Sequence, residues 1–286
     1  MAAHERRPRP GERSLVRSTA YGVVLVLMLA MTCARPVMAE EITVGGELKG
    51  FSSRLLGEGS DFATTPFSLR DGNLFWTLAV AGAVGLTYGF DTDIRDKVQG
   101  SRSRGLDKAA DVAELAGNPY LHIGVAALVY GGGVLAESPK WKEIGEMMAE
   151  ALFLADAATL LIKEGTGRGR PAVASGKGDL RPLQFKTDYD SFPSMHTASS
   201  FAMASVIART SQSIELSVLS YTLAASVGFA RMNQNKHWAS DVLLGAALGE
   251  LAGRVVTHYH ADKSRRFMLL PSVSGEAATM NLVYRF

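Results

Sequence analysis

Residues 194–230 read SMHTASSFAMASVIARTSQSIELSVLSYTLAASVGFA. The stretch predicts two helices, over about 194–211 and 213–230, and a third is expected over about 237–259. Upstream, Trp141 to Lys163 predicts a long helix carrying Glu143, Glu146, Glu150 and Asp156. Before it, Pro119 opens an apolar helix reaching about Ala136, and Gly117-Asn118-Pro119 separates that helix from an amphipathic one over Leu106 to Leu115. The uncharged Ala/Gly/aromatic run from Leu74 to Phe90 predicts a buried helix ended by a turn at Asp91-Thr92-Asp93. Residues 40–72 show no strong period and are expected to be an irregular lead-in. The pattern changes near the C-terminus, where the short apolar runs Phe267 to Val273 and Met280 to Phe286 flank Ser274-Gly275-Glu276 and predict a β-hairpin packed on the bundle. The expected fold is all-α, a helical bundle over 73–262 with a small C-terminal β-hairpin over 263–286.

Charge is unevenly placed along the 286 residues, of which 47% are hydrophobic and 20% charged. The first 39 residues hold six arginines against Glu5 and Glu12, which leaves 24 basic and 26 acidic residues for the rest. That balance points to no nucleic-acid partner. The basic head precedes an apolar run from Tyr21 to Ala34 and the small residues before Glu40, the pattern of a secretory signal peptide over 1–39. An uncleaved membrane anchor is the alternative; the run is short for a span of about 20 residues. Cys33, the only cysteine, lies inside that segment, so the exported chain is expected to have no disulfide, thiolate nucleophile or cysteine metal site. The charges on the long helices suit a water-exposed face, so a soluble or peripheral bundle is expected ahead of an integral membrane one.

Three segments carry candidate chemistry. Lys163 is followed by Arg170-Pro171, Pro193-Ser194-Met195-His196 enters a helix, and Arg231 is followed by His237 and Asp241. Lys163, Arg170 and Arg231 offer three permanent cations for a dianionic phosphoryl group, arginine as a planar fork and lysine as a point charge. Ser194 and the next amides stand at a helix start, where free N–H groups and the dipole favour an anion. His237 and Asp241, four residues apart, share a helix face, so the carboxylate can hold one imidazole nitrogen and leave the other as a nucleophile. His196 remains to protonate a leaving oxygen and to activate water. Taken singly, each segment also reads as a surface loop, a helix cap or a local ion pair.

In this order the segments resemble the type 2 phosphatidic acid phosphatase superfamily, which includes bacterial acid phosphatases and vanadium haloperoxidases. The resemblance covers about 163–241 by motif and is closest to the exported bacterial branch. It implies that family's helical bundle and a phosphatase working without metal or other cofactor through a phosphohistidine. His237 would be the nucleophile, Asp241 its orienting partner and His196 the general acid. Lys163, Arg170, Arg231, Ser194 and the Met195 amide would bind phosphate. The chain departs from the pattern at Met195, where the family has glycine, and at Ala230, where it has serine.

The expected substrate is a phosphate monoester or pyrophosphate, with a lipid phosphate ahead of a soluble ester, hydrolysed outside the cytoplasmic membrane, with peripheral membrane contact. A vanadium-dependent haloperoxidase and a non-catalytic phosphate-binding protein are the alternatives from other classes. His122 is expected to be a packed residue. His258, His260 and Asp262 end the last helix, where cations at a helix C-terminus are the ordinary reading and a metal site the rival.

Overall fold

The computed structural model describes the backbone of residues 44–263, 267–274 and 277–284, and side chains over 49–262. The expected signal segment lies outside the described residues. Among the described residues eight α-helices follow one another: α1 Val44–Thr64, α2 Asn73–Gly100, α3 Arg104–Ala116, α4 Pro119–Leu135, α5 Pro139–Thr166, α6 Met195–Ser211, α7 Ile214–Asn233 and α8 Ala239–Lys263. Local chemistry sets their starts. The side chains of Ser103, Asn118 and Ser213 accept backbone N–H groups of the first turn, and Pro119 and Pro139 sit where no N–H is needed.

The core lies among α4, α5, α6 and α8, where Ala151, Leu152, Ala155, Ala202, Val206 and Val256 are buried. Close approach of α6 and α8 determines what happens at their N-terminal ends. A Cβ at Gly245 would stand 2.5 Å from the Ser194 carbonyl oxygen, and one at Gly249 would collide with that of Ala198. Bare backbone at these positions lets the helices meet, and the Ser194 N–H donates to the Asp241 carbonyl at 3.0 Å.

Three sequence expectations need correction. Residues 40–72 are not an irregular lead-in throughout, because α1 occupies Val44–Thr64; Leu55 and Phe62 pack on the core and Arg54 pairs with Glu150 on α5. The turn at Asp91 is absent, since α2 runs through it to Gly100 and Asp91 is fully buried in long-range hydrogen bonds. The run from Leu74 to Phe90 is helical but not buried: Phe75, Trp76, Leu78, Leu86 and Phe90 are exposed. Arg70–Gly100 is long and apolar enough to cross a membrane.

The domain fold is all-helical, and a C-terminal β-hairpin as part of it is not supported. Phe267–Ser274 and Ala277–Tyr284 are drawn as antiparallel strands that pair with each other, but their side chains lie outside the described residues.

Candidate active site

The C-terminal end of α5, the loop after it, and the N-terminal ends of α6 and α8 converge. Lys163 lies in the last turn of α5 and is buried. Gly167, in the left-handed region at φ 56°, turns the chain out of the helix so that Arg168 and Arg170 follow on the loop. Ser194 precedes α6, with its Oγ accepting from Thr197 at 2.9 Å rather than capping a backbone N–H. The first-turn amides of Met195 and His196 therefore have no side-chain cap. Arg231 ends α7 and His237 stands just before α8, whose first turn carries Asp241.

The residues of the three candidate segments come to this one place, but the partner of His237 differs from the expected one. Its Nδ1 is 2.6 Å from the Ser191 carbonyl oxygen, whereas the Asp241 carboxylate is 3.6 Å away, beyond a hydrogen bond. A carbonyl only accepts, so Nδ1 carries the proton and Nε2 keeps a lone pair. Asp241 is held by other groups. Its Oδ2 accepts from Ser191 Oγ at 2.5 Å and from the Trp238 N–H at 2.7 Å, and its Oδ1 takes Arg168 Nη1 at 2.6 Å. Asp241 thus fixes Ser191, whose carbonyl fixes His237.

Arg168 is the member that sequence reasoning missed. It is 3% exposed and bridges two fully buried carboxylates, with Nη2 2.7 Å from Asp91 Oδ2 as well as Nη1 on Asp241. Asp91 also accepts from the Ser240 N–H and Oγ, so α2 is tied to the start of α8. The guanidinium stacks near Tyr88 and Trp238. The other cations are held from the side. Arg170 makes a bidentate pair with Asp190 at 2.6 and 3.0 Å, Lys163 donates to the Asp190 carbonyl, and Arg231 Nη1 pairs with Glu114 on α3. Arg231 Nε is buried with no hydrogen-bond partner among the described residues.

The electrostatics follow from burial and these cations. Burial, reinforced by Lys163, Arg231 and Arg170, drives His237 well below the ordinary imidazole range. Burial and then Arg231 pull His196 down to about 4, against Glu114. Burial lowers Lys163 to about 8, although Asp190 pulls the other way. Asp241 is pushed up by burial and restrained chiefly by Arg168. The site holds a buried, neutral imidazole among cations with an unspent guanidinium N–H, an arrangement chemically suited to an oxyanion. The acids within it are engaged by Arg168, Arg170 and Arg231. Among the described residues, the group of metal-ligating side chains close enough to share an ion is Glu58, Glu150 and His260, near the other end of α5.

Residues 147–265 match the PAP2 superfamily, a span that contains every motif residue from Lys163 to Asp241 but neither Asp91 nor Glu114. A lipid A 1-phosphatase of Porphyromonas gingivalis is 46% identical over 88 residues, covering 29% of this chain and 19% of that protein. The chain therefore matches about a fifth of that curated relative's length. Among solved structures, Aquifex aeolicus LpxE shares the fold at a TM-score of 0.50 and 21% identity, over 59% of this chain and 94% of that one. The transmembrane PAP2 type phosphatidylglycerolphosphate phosphatase of Bacillus subtilis does so at a TM-score of 0.54 and 20% identity, over 72% of this chain and all of that one.

Proposed function

The chain belongs to the PAP2 superfamily, the type 2 phosphatidic acid phosphatases, and from that premise we propose that it hydrolyses the phosphate of a phosphorylated lipid through a phosphohistidine, without a metal at the reacting centre. The observation that carries the proposal is the pinning of His237 Nδ1 on the Ser191 carbonyl, with Lys163, Arg170 and Arg231 around the ring.

In the first step His237 Nε2 attacks phosphorus in line, the N–P bond forms and the P–O ester bond breaks. His196 gives its proton to the departing oxygen. In the second step neutral His196 takes a proton from water, whose oxygen attacks phosphorus and displaces Nε2 to release phosphate. Lys163, Arg170, the free Nε–H of Arg231 and the first amides of α6 hold the equatorial oxygens, where negative charge accumulates. Arg168 touches no substrate in this scheme; it positions Asp241 and through it Ser191. Because His196 is neutral in the free site, the proton arrives with a monoanionic phosphate, whose second pKa is about 6.

A lipid substrate is supported by the exposed apolar surface. Beyond α2, the loop between Arg170 and Asp190 exposes Val173, Leu180, Leu183 and Phe185 beside the site. We read this surface as facing a membrane, and the relatives named for lipid A and phosphatidylglycerolphosphate suggest substrates of that class. Export belongs to the same proposal: the basic and apolar head of residues 1–39 supports a signal peptide ahead of a phosphatase domain over 73–262.

The test is phosphate release by the purified protein and its His237→Ala variant in EDTA. The substrates are phosphatidic acid, phosphatidylglycerolphosphate and lipid A in micelles, with p-nitrophenyl phosphate as a soluble ester. Release from a lipid that disappears in the variant supports the proposal. Equal release from both proteins, or none from any substrate, overturns it.

A further inference from the structure

A second charged cluster lies at the far end of α5 and α8 from the site, roughly 20 Å along α5 by the helix rise between Glu150 and Lys163. Glu58 from α1, Glu150 from α5 and His260 from α8 bring ligand atoms within 4.8 Å of one another. His260 Nε2 is 2.7 Å from Glu150 Oε2 and 3.6 Å from Glu58 Oε1, and its Nδ1 is 3.2 Å from Glu143 Oε1. Arg54 Nε donates to the other oxygen of Glu150 at 2.6 Å, and its Nη2 is 3.3 Å from Glu146. Lys142 is 3.9 Å from Glu146.

One group in this cluster lacks a counterpart. Glu58 is 0% exposed, yet neither of its carboxylate oxygens has a hydrogen-bond partner among the described residues. A buried carboxylate without a donor or ion is strongly unfavourable. The neighbouring carboxylates have partners: Arg54 pairs with Glu146 and Glu150, and His260 lies between Glu143 and Glu150.

We propose that Glu58 Oε1, Glu150 Oε2 and His260 Nε2 bind a divalent transition-metal cation that ties α1 to α5 and α8. The neighbours are arranged for it. Glu143 stands 3.2 Å from His260 Nδ1 and can accept its N–H, so that Nε2, which faces Glu150 and Glu58, is the nitrogen left to ligate an ion in place of its proton, as in carboxylate–histidine–metal sites. Arg54 occupies Glu150 Oε1, so Oε2, which faces His260 Nε2, is the oxygen left to an ion. Ligand atoms about 2.1 Å from a tetrahedral ion lie roughly 3.4 Å apart, so the observed 2.7 and 3.6 Å separations need small adjustments only. One imidazole and two carboxylates suit zinc, with water in the fourth position. The rival occupant is a proton, because burial and then Glu150 push the Glu58 carboxyl up to about 8.

The full chain, equilibrated with Zn²⁺ and desalted, is assayed for zinc by plasma mass spectrometry and for melting with and without EDTA. We expect close to one zinc per chain, a melting temperature several degrees lower in EDTA, and recovery on adding Zn²⁺. Glu58→Gln should hold no zinc and lose the EDTA response. Glu143→Gln should keep the fold and bind zinc about 10- to 100-fold more weakly. A zinc-free wild type whose melting is the same in Zn²⁺ and EDTA overturns the site and leaves the shared proton. If Glu58→Gln fails to fold, the wild-type zinc content and chelator response still decide. No readout here depends on phosphatase activity, so failure of either proposal leaves the other standing.

Discussion

The two ends of the α5–α8 pair bury charge in opposite ways. At the end near Lys163, Asp91 and Asp241 are both answered by Arg168, Asp190 by Arg170 and Glu114 by Arg231, and an Arg231 N–H is left without an acceptor among the described residues. At the end near Glu150, the buried Glu58 carboxylate has no donor among the described residues. In each place the sign of the unmatched group indicates the ligand: an oxyanion beside His237 and a cation beside His260. A bundle that balanced both ends internally would have neither an orphaned guanidinium N–H nor an orphaned carboxylate.

The largest effect expected from breaking this contrast is at the nucleophile. His237→Ala should lower kcat by about 10⁴-fold or more, measured as phosphate release from the preferred lipid, because no other group can form the covalent intermediate. Next is the loss of charge balance. Arg168→Met leaves Asp91 and Asp241 buried without their cation and should cost about 3–5 kcal/mol, read by denaturant unfolding. Adding Asp91→Asn should recover part of that loss, which a merely steric defect would not allow.

A smaller effect separates the two titrating groups of the reaction, the substrate phosphate and Lys163. If the substrate brings the proton, kcat/KM falls tenfold per pH unit above about 6 as the phosphate becomes a dianion. Lys163 must be charged to hold the phosphate, and its value of about 8 adds a second tenfold per unit above that pH. Lys163→Arg, charged throughout, should remove the second break and leave the first. The smallest effect concerns Met195, half-buried at the start of α6 beside the site. Met195→Gly should raise kcat/KM for bulky lipid phosphates severalfold and leave p-nitrophenyl phosphate nearly unchanged.

The site was largely legible because its motif residues cluster from Lys163 to Asp241 and their chemical types are unusual at those spacings. What escaped had no local signal. Arg168 stands two residues from Arg170 in the same glycine-rich loop, and only the fold sends one to Asp91 and the other to Asp190. The partner of His237 is a backbone carbonyl, which any residue at 191 would present. Glu114 lies outside the motif segment. The fold followed a similar rule. Helices α3 to α8 were marked by caps, prolines and apolar periods, whereas α1 is stabilised by contacts between residues about 90 to 200 apart, such as Arg54 with Glu150 and Glu58 with His260. Asp91-Thr92-Asp93 reads as a turn by composition, and tertiary pairing overrides it. The Leu74–Phe90 run has the same composition whether it faces protein or lipid, so its exposure could not be read from apolarity.

The phosphohistidine is the central claim, and rapid quenching of the wild-type protein during turnover of ³²P-labelled phosphatidic acid, or whichever lipid it prefers, tests it most directly. The account predicts label on the protein that is stable in alkali, lost in acid and located at residue 237 by peptide mapping. Turnover with no trapped label, or label that survives at full level in His237→Ala, would contradict it.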